Sequence, residues 1–184
     1  MRACSWFSML PDPCEVPPSG TTTPLPTKGE NDGRGSENAS EKIYECEFNI
    51  TGVTDYGVTL DALLSGEEKV PLQGARIDVA FEGEIKGRIT GKVSRGVEYL
   101  QLRADGRTDL DGRATIETED GHRIAMHIEG VATPRANEPM LDLIANVRLT
   151  TAAPKYDWVN TRQIWGLATV NLATAKIHVE SFLQ

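Results

Sequence analysis

The sequence predicts an all-β domain, closed as a single antiparallel barrel of about eight or nine strands and preceded by a disordered tail. Three observations carry this. From Ile43 onward apolar residues recur with a period of two rather than 3.6. Turn residues interrupt that alternation about every ten positions, the rhythm of a sandwich or barrel. Several runs have one apolar and one mixed-polar face. That suits a small barrel with a lined interior, and closure leaves no bare sheet edge.

Residues 1–41 hold six of the ten prolines, many Ser, Thr and Asn, and more acidic than basic side chains. Such a segment buries too little apolar surface to offset the entropy of ordering it, so it is expected to be disordered. The remaining stretch, 42–184, is long enough for one filled core. Its first strand alternates Tyr44, Cys46, Phe48 and Ile50 with Glu45, Glu47 and Asn49. Asp61 to Lys69 reads as a short helix or loop closed by Pro71. Ala75 to Phe81 and Ile85 to Val93 read as two strands, the second with Gly87 and Gly91 where a bulge would sit. Strands follow at Val97 to Arg103, Asp109 to Thr118 and Arg123 to Val131. Leu141 to Thr151 alternates weakly and begins as if helical. Ala153 to Asn160 is an aromatic-bearing loop, and two closing strands span Arg162 to Asn171 and Ala175 to Phe182.

The net charge of −8 and the lack of a basic, aromatic-interleaved stripe argue against nucleic acid. No apolar run reaches the roughly 20 residues that span a bilayer. The start MRACSWFSML is too short and polar for a secretory signal, and three cysteines (Cys4, Cys14, Cys46) suit a reducing compartment. A cytoplasmic protein is therefore expected. No nucleotide-loop, dinucleotide or nucleophile-elbow motif is present. His122, His127 and His178 lack metal-ligand spacing, so neither a metal nor a cofactor is expected.

The stretch LRADGRTDLDGRATIETEDGHRI, Leu102 to Ile124, places Asp109, Asp111, Arg113, Thr115 and Glu117 on one strand face. That face is either a solvated outer wall or a polar barrel lining. On the first reading Asp111 and Arg113 are a surface pair of little energetic consequence. On the second, Arg113 binds an oxyanion and Asp111 orients it. His127, beside Glu129, is either an acid/base or an ordinary satisfied histidine. Glu98 shares a face with Leu100 and Leu102. It is either an exposed strand-end residue or a desolvated carboxyl with a raised pKa, which is how a general acid is made. Tyr156, Trp158 and Asn160 either contact ligand at a barrel mouth or plug the barrel end.

The segments RGVEYLQLRADG (Arg95 to Gly106), LDGRATIETEDGHRI (Leu110 to Ile124) and TTAAPKYDWVN (Thr150 to Asn160) resemble domain-of-unknown-function family three-two-three-seven. The resemblance covers about Ile43 to Phe182. It rests most specifically on Leu110, Asp111 and Arg113, on Thr118, Asp120 and Gly121, and on Tyr156, Trp158 and Asn160. Glu98-Tyr99 stands where members commonly carry Asp-Trp. The resemblance implies a closed barrel similar to allene oxide cyclase and the calycins. Because some fungal members look like polyketide-pathway cyclases, it also implies a cofactor-independent cyclase or isomerase acting on an aromatic or polyketide-type small molecule. Arg113 and Asp111 would then hold the oxyanion, Glu98 or His127 would move the proton, and Tyr99, Tyr156, Trp158 and Asn160 would bind the substrate. A non-catalytic small-molecule-binding barrel and a self-filled structural barrel are the alternatives. Beyond its small molecule the protein is expected to meet neither nucleic acid nor membrane, and a homo-oligomer is possible.

Overall fold

A computed structural model describes residues 40–184. Eight strands run in chain order around a closed antiparallel barrel: β1 Glu41–Asp55, β2 Ala75–Gly87, β3 Gly91–Leu102, β4 Thr108–Thr118, β5 Arg123–Pro134, β6 Met140–Thr150, β7 Ile164–Asn171 and β8 Lys176–Leu183. Each strand pairs with its sequence neighbours, and β1 pairs with β8 to close the wall. The tail expected over 1–41 falls, apart from Ser40 and Glu41, outside the described residues, as do Cys4 and Cys14. No helix among the described residues is long and apolar enough to cross a membrane.

The apolar register of each strand points inward. Cys46 and Phe48 on β1, Ile77, Val79 and Phe81 on β2, and Leu110, Ala114 and Ile116 on β4 are all buried. With eight strands the interior is just wide enough for side chains to fill it. The run expected as one strand over Ile85 to Val93 is instead split by a turn at residues 88–90. Gly87 makes that turn possible: its φ is 146°, and a Cβ there would lie 2.5 Å from the Ile43 carbonyl oxygen. β6 is a strand from its first residue, with no helical start, because Leu141 and Leu143 both face the interior.

A bulge in β3 has functional weight. Opposite β4, Val93 pairs with Ile116 but Gly96 pairs with Ala114, so Ser94 and Arg95 together oppose one residue. One extra residue reverses the in/out alternation beyond it. Val93 points inward before the bulge; Gly96, Glu98, Leu100 and Leu102 point inward after it. Without the bulge Glu98 would face water.

The two barrel ends differ. One is plugged by the 3-10 helix Pro154–Thr161, which packs Tyr156 and Val159 against Ile43, Ile89 and Ile164. The other carries the β1–β2 connection with the short helix α1, Leu60–Ser65, capped by Thr59 and by Gly66 at φ 76°. Helix α1 buries no residue, so it lies over that end without sealing it.

Candidate functional site

Inside the barrel, on the α1 side of the plug, lies a cavity of about 120 Å³. Its wall is almost wholly hydrocarbon, and Leu60 and Leu172 stand at its α1 end. No Lys, Arg or His lines it. Four polar or titratable side chains do: Glu98 from β3, Tyr44 and Cys46 from β1, and Ser181 from β8.

Glu98 is the one carboxyl in the cavity. Its Oε1 is sealed from solvent and has no hydrogen-bond partner among the described residues. Room for the carboxyl comes from its register partner across β4, Gly112. A Cβ at Gly112 would stand 2.5 Å from Glu98 Oε2. Burial disfavours the charged form and pushes the carboxyl from an ordinary 4.5 up to about 8; the Asp111 carboxylate adds to this and the Arg113 guanidinium opposes it. Glu98 is therefore largely protonated at neutral pH.

Tyr44 and Ser181 face each other across the β1–β8 seam. Ser181 is fully buried, and its Oγ makes no hydrogen bond among the described residues. It stands close enough to the Tyr44 hydroxyl to ease that phenol's ionisation, but burial dominates and pushes the phenol well above its usual range. Burial likewise pushes the Cys46 thiol far up, leaving it an inert hydrophobe. Neither Tyr44 nor Ser181 was expected from sequence. The available signal was a hydroxyl inside an apolar register: Ser181 between Val179 and Leu183, and Tyr44 beside Cys46 and Phe48.

The interior placement considered for Asp111, Arg113 and His127 is corrected by the structure. All three lie on the outer wall, with Asp111 and Arg113 about half exposed. The apolar face of β4 fills the barrel and leaves the polar face to water. There they form an ordered chain. Arg113 pairs with Asp111, and His127 Nε2 lies 3.1 Å from Asp111 Oδ1. Arg148 Nη2 lies 2.9 Å from His127 Nδ1 and 2.7 Å from Glu129. Arg148 can only donate, so this network assigns the imidazole proton to Nε2, which donates to Asp111. Tyr99 is also outside, in register with Asp111 and 4.8 Å beneath the Arg76 guanidinium.

Tyr156, Trp158 and Asn160 gather at the plugged end, away from the cavity, and serve the plug. Tyr156 is buried and donates its hydroxyl to Asp120 at 3.0 Å. Trp158 packs on the core with Arg88 3.9 Å above its ring. Asn160 exchanges two 2.9 Å hydrogen bonds with the Thr151 backbone. Of the residues expected at the site, only Glu98 reaches the cavity. A groove of about 490 Å³ on the outer wall, bordered by Lys92, Glu117 and His122, is open to solvent, and its one buried polar side chain, Thr118, is hydrogen-bonded to Asp120.

Solved structures share this architecture. A Clostridium acetobutylicum protein of unknown function matches with a TM-score of 0.65 and 17% identity, covering 78% of this chain and 96% of that one. A β-barrel-like protein from Acinetobacter baumannii matches at 0.63 and 20%, over 79% and 95% of the two chains. A chain described as an enzyme from Penicillium herquei matches at 0.54 and 20%, over 78% and 92%. No curated protein matches. The profile of the family described as Protein of unknown function (DUF3237) matches residues 52–180, from the last four residues of β1 into β8, and the chain belongs to that family.

Proposed function

We propose that the barrel is a cofactor-independent cyclase or isomerase in which Glu98 transfers a proton to and from a small neutral molecule held in the cavity. The observation that carries this is the unpartnered Glu98 Oε1, sealed among hydrocarbon side chains and protonated at neutral pH. A carboxyl kept neutral in an apolar pocket is a general acid near physiological pH. Closure of an oxygen heterocycle is the reaction it suits. The Glu98 proton goes to one alkene carbon, and a hydroxyl oxygen of the same molecule bonds to the other. That hydroxyl's proton then returns to the Glu98 carboxylate. One C–O and one C–H bond form, one C=C π bond and one O–H bond break, and the product is an isomer of the substrate. The description of the Penicillium herquei relative as an enzyme supports catalysis, and the polyketide-type substrate is the class implied by the family resemblance. The cavity selects a small member of that class. It is close to the roughly 150 Å³ dry apolar cavity that accommodates benzene.

Arg113 and Asp111 then act on Glu98 through the wall. They flank Gly112, against which the Glu98 carboxyl rests. Their opposed charges tune its proton affinity without touching the ligand. The near-absence of polar lining beyond Glu98, Tyr44 and Ser181 favours a second reading, a barrel that binds its ligand without chemistry.

Metabolite comparison of a deletion strain with its parent separates the two. The catalytic reading expects an accumulated open-chain isomer. Wild-type chain clears it, and Glu98→Gln does not. No accumulation leaves the binding reading, and clearance by Glu98→Gln removes Glu98 as the group that moves the proton.

A further inference from the structure

Ser181 and Tyr44 are the polar groups of the cavity that proton transfer by Glu98 does not use. They come from adjacent strands, β8 and β1, and are register partners across the seam that closes the barrel. Ser181 is fully buried and Tyr44 is 2% exposed, so neither hydroxyl is satisfied by bulk water. The Ser181 Oγ has no partner among the described residues, yet it lines the cavity. A buried hydroxyl left without a partner costs free energy unless something supplies the bond. An alanine in the register of Ile177, Val179 and Leu183 would avoid that cost.

We propose that Ser181, with Tyr44 beside it, is an oxygen-binding subsite that holds a hydroxyl or carbonyl oxygen of a neutral, single-ring ligand. The claim rests on the reading of the cavity as a ligand site and adds the chemistry of what it takes. The ligand is neutral because the cavity has no cation to meet a carboxylate or phosphate. An anion would leave water for hydrocarbon with no counter-charge, which is prohibitive. It is a single ring because about 120 Å³ holds little more. It carries an oxygen because Ser181 can donate to or accept from one, and the Tyr44 hydroxyl can complete the contact.

Calorimetric titration of the full chain at pH 7 with 4-methylphenol, toluene and 4-methylbenzoate tests this. The three share a ring and a methyl group and differ in one substituent. The phenol is expected to bind about three- to tenfold more tightly than toluene, the margin of one neutral hydrogen bond. The benzoate is expected not to bind. Ser181→Ala should erase the phenol's margin and leave toluene affinity unchanged; Tyr44→Phe, which keeps the ring, should reduce the margin in part. A margin that survives Ser181→Ala overturns the subsite, as does benzoate binding that matches the phenol. A margin lost in Glu98→Gln but kept in Ser181→Ala overturns it too, while leaving Glu98 as the working group. If none of the three probes binds, both the subsite and the cavity as ligand site fall together.

Discussion

Glu98 holds a proton in the fold that it would lose in the unfolded chain at neutral pH. Its carboxyl rises from 4.5 to about 8 on folding, chiefly through burial. Below pH 4.5 both states are protonated and the shifted ionisation costs nothing. As pH rises from 4.5 to 8 the unfolded chain ionises while the folded one does not, so stability falls across that window. Glu98→Gln should therefore match the wild type at pH 4 and exceed it at pH 8 by on the order of 3 kcal/mol, read from urea unfolding at the two pH values. An equal difference at both would mean that Glu98 is not held protonated. The outer pair should move this titration in opposite senses: Arg113→Ala raises the Glu98 pKa, and Asp111→Asn lowers it, as followed by carboxyl NMR. Stability should change by less than about 1 kcal/mol in either variant, since both side chains are half exposed.

Two strands place Glu98. β3 aims Glu98 inward by its bulge, and β4 makes room with Gly112. Gly112→Ala should cost only about 1–3 kcal/mol, because the atom it strikes is the end of a flexible side chain. It should nonetheless displace the carboxyl and abolish the wild-type Glu98 titration. Retention of that titration would show that the strand, not the missing Cβ, places the carboxyl. At the plugged end, Asp120 receives hydrogen bonds from Thr118 and Tyr156 and pairs with Lys155. These hold its carboxyl well below its ordinary 3.8, with Lys155 the largest cause. The stabilisation is present above that value and is lost on acidification. Asp120→Asn should speed backbone hydrogen exchange across Pro154–Thr161 more than across β7, and unchanged exchange there would show that the plug is held by packing alone. The plug was partly legible. Tyr156, Trp158 and Asn160 stood out as a cluster, but a loop cluster has the same composition whether it grips a ligand or closes an end.

Closure of the whole barrel protects its lining. Cys46 is 1% exposed and its thiol is pushed far up by burial. Site-resolved alkylation at pH 8 should therefore leave Cys46 unmodified in the folded protein, with its rate following global unfolding. Modification faster than unfolding would reveal opening of the β1–β8 seam.

Alternation along the chain establishes that the domain is all-β, that its strands follow one another in chain order, and which residues share a face within a strand; it does not show their length, since β1 runs to 15 residues and β2 to 13. A period of two is a local property, written into each strand by alternation. It could not say which face looks inward where both are plausible. On β4 the inward face of Leu110, Gly112, Ala114, Ile116 and Thr118 is made of small and mixed residues. Its opposite carries a run of charges that also suits a polar lining. Only closure settled this, because eight strands bent around one axis bury whichever faces can jointly exclude water. That placed Asp111, Arg113 and His127 outside. Glu98 came inside through a bulge that alternation does not announce, and Ser181 met Tyr44 through a seam that joins the first strand to the last. Pairing of β1 with β8 brings together residues more than a hundred positions apart, and no local pattern encodes their meeting.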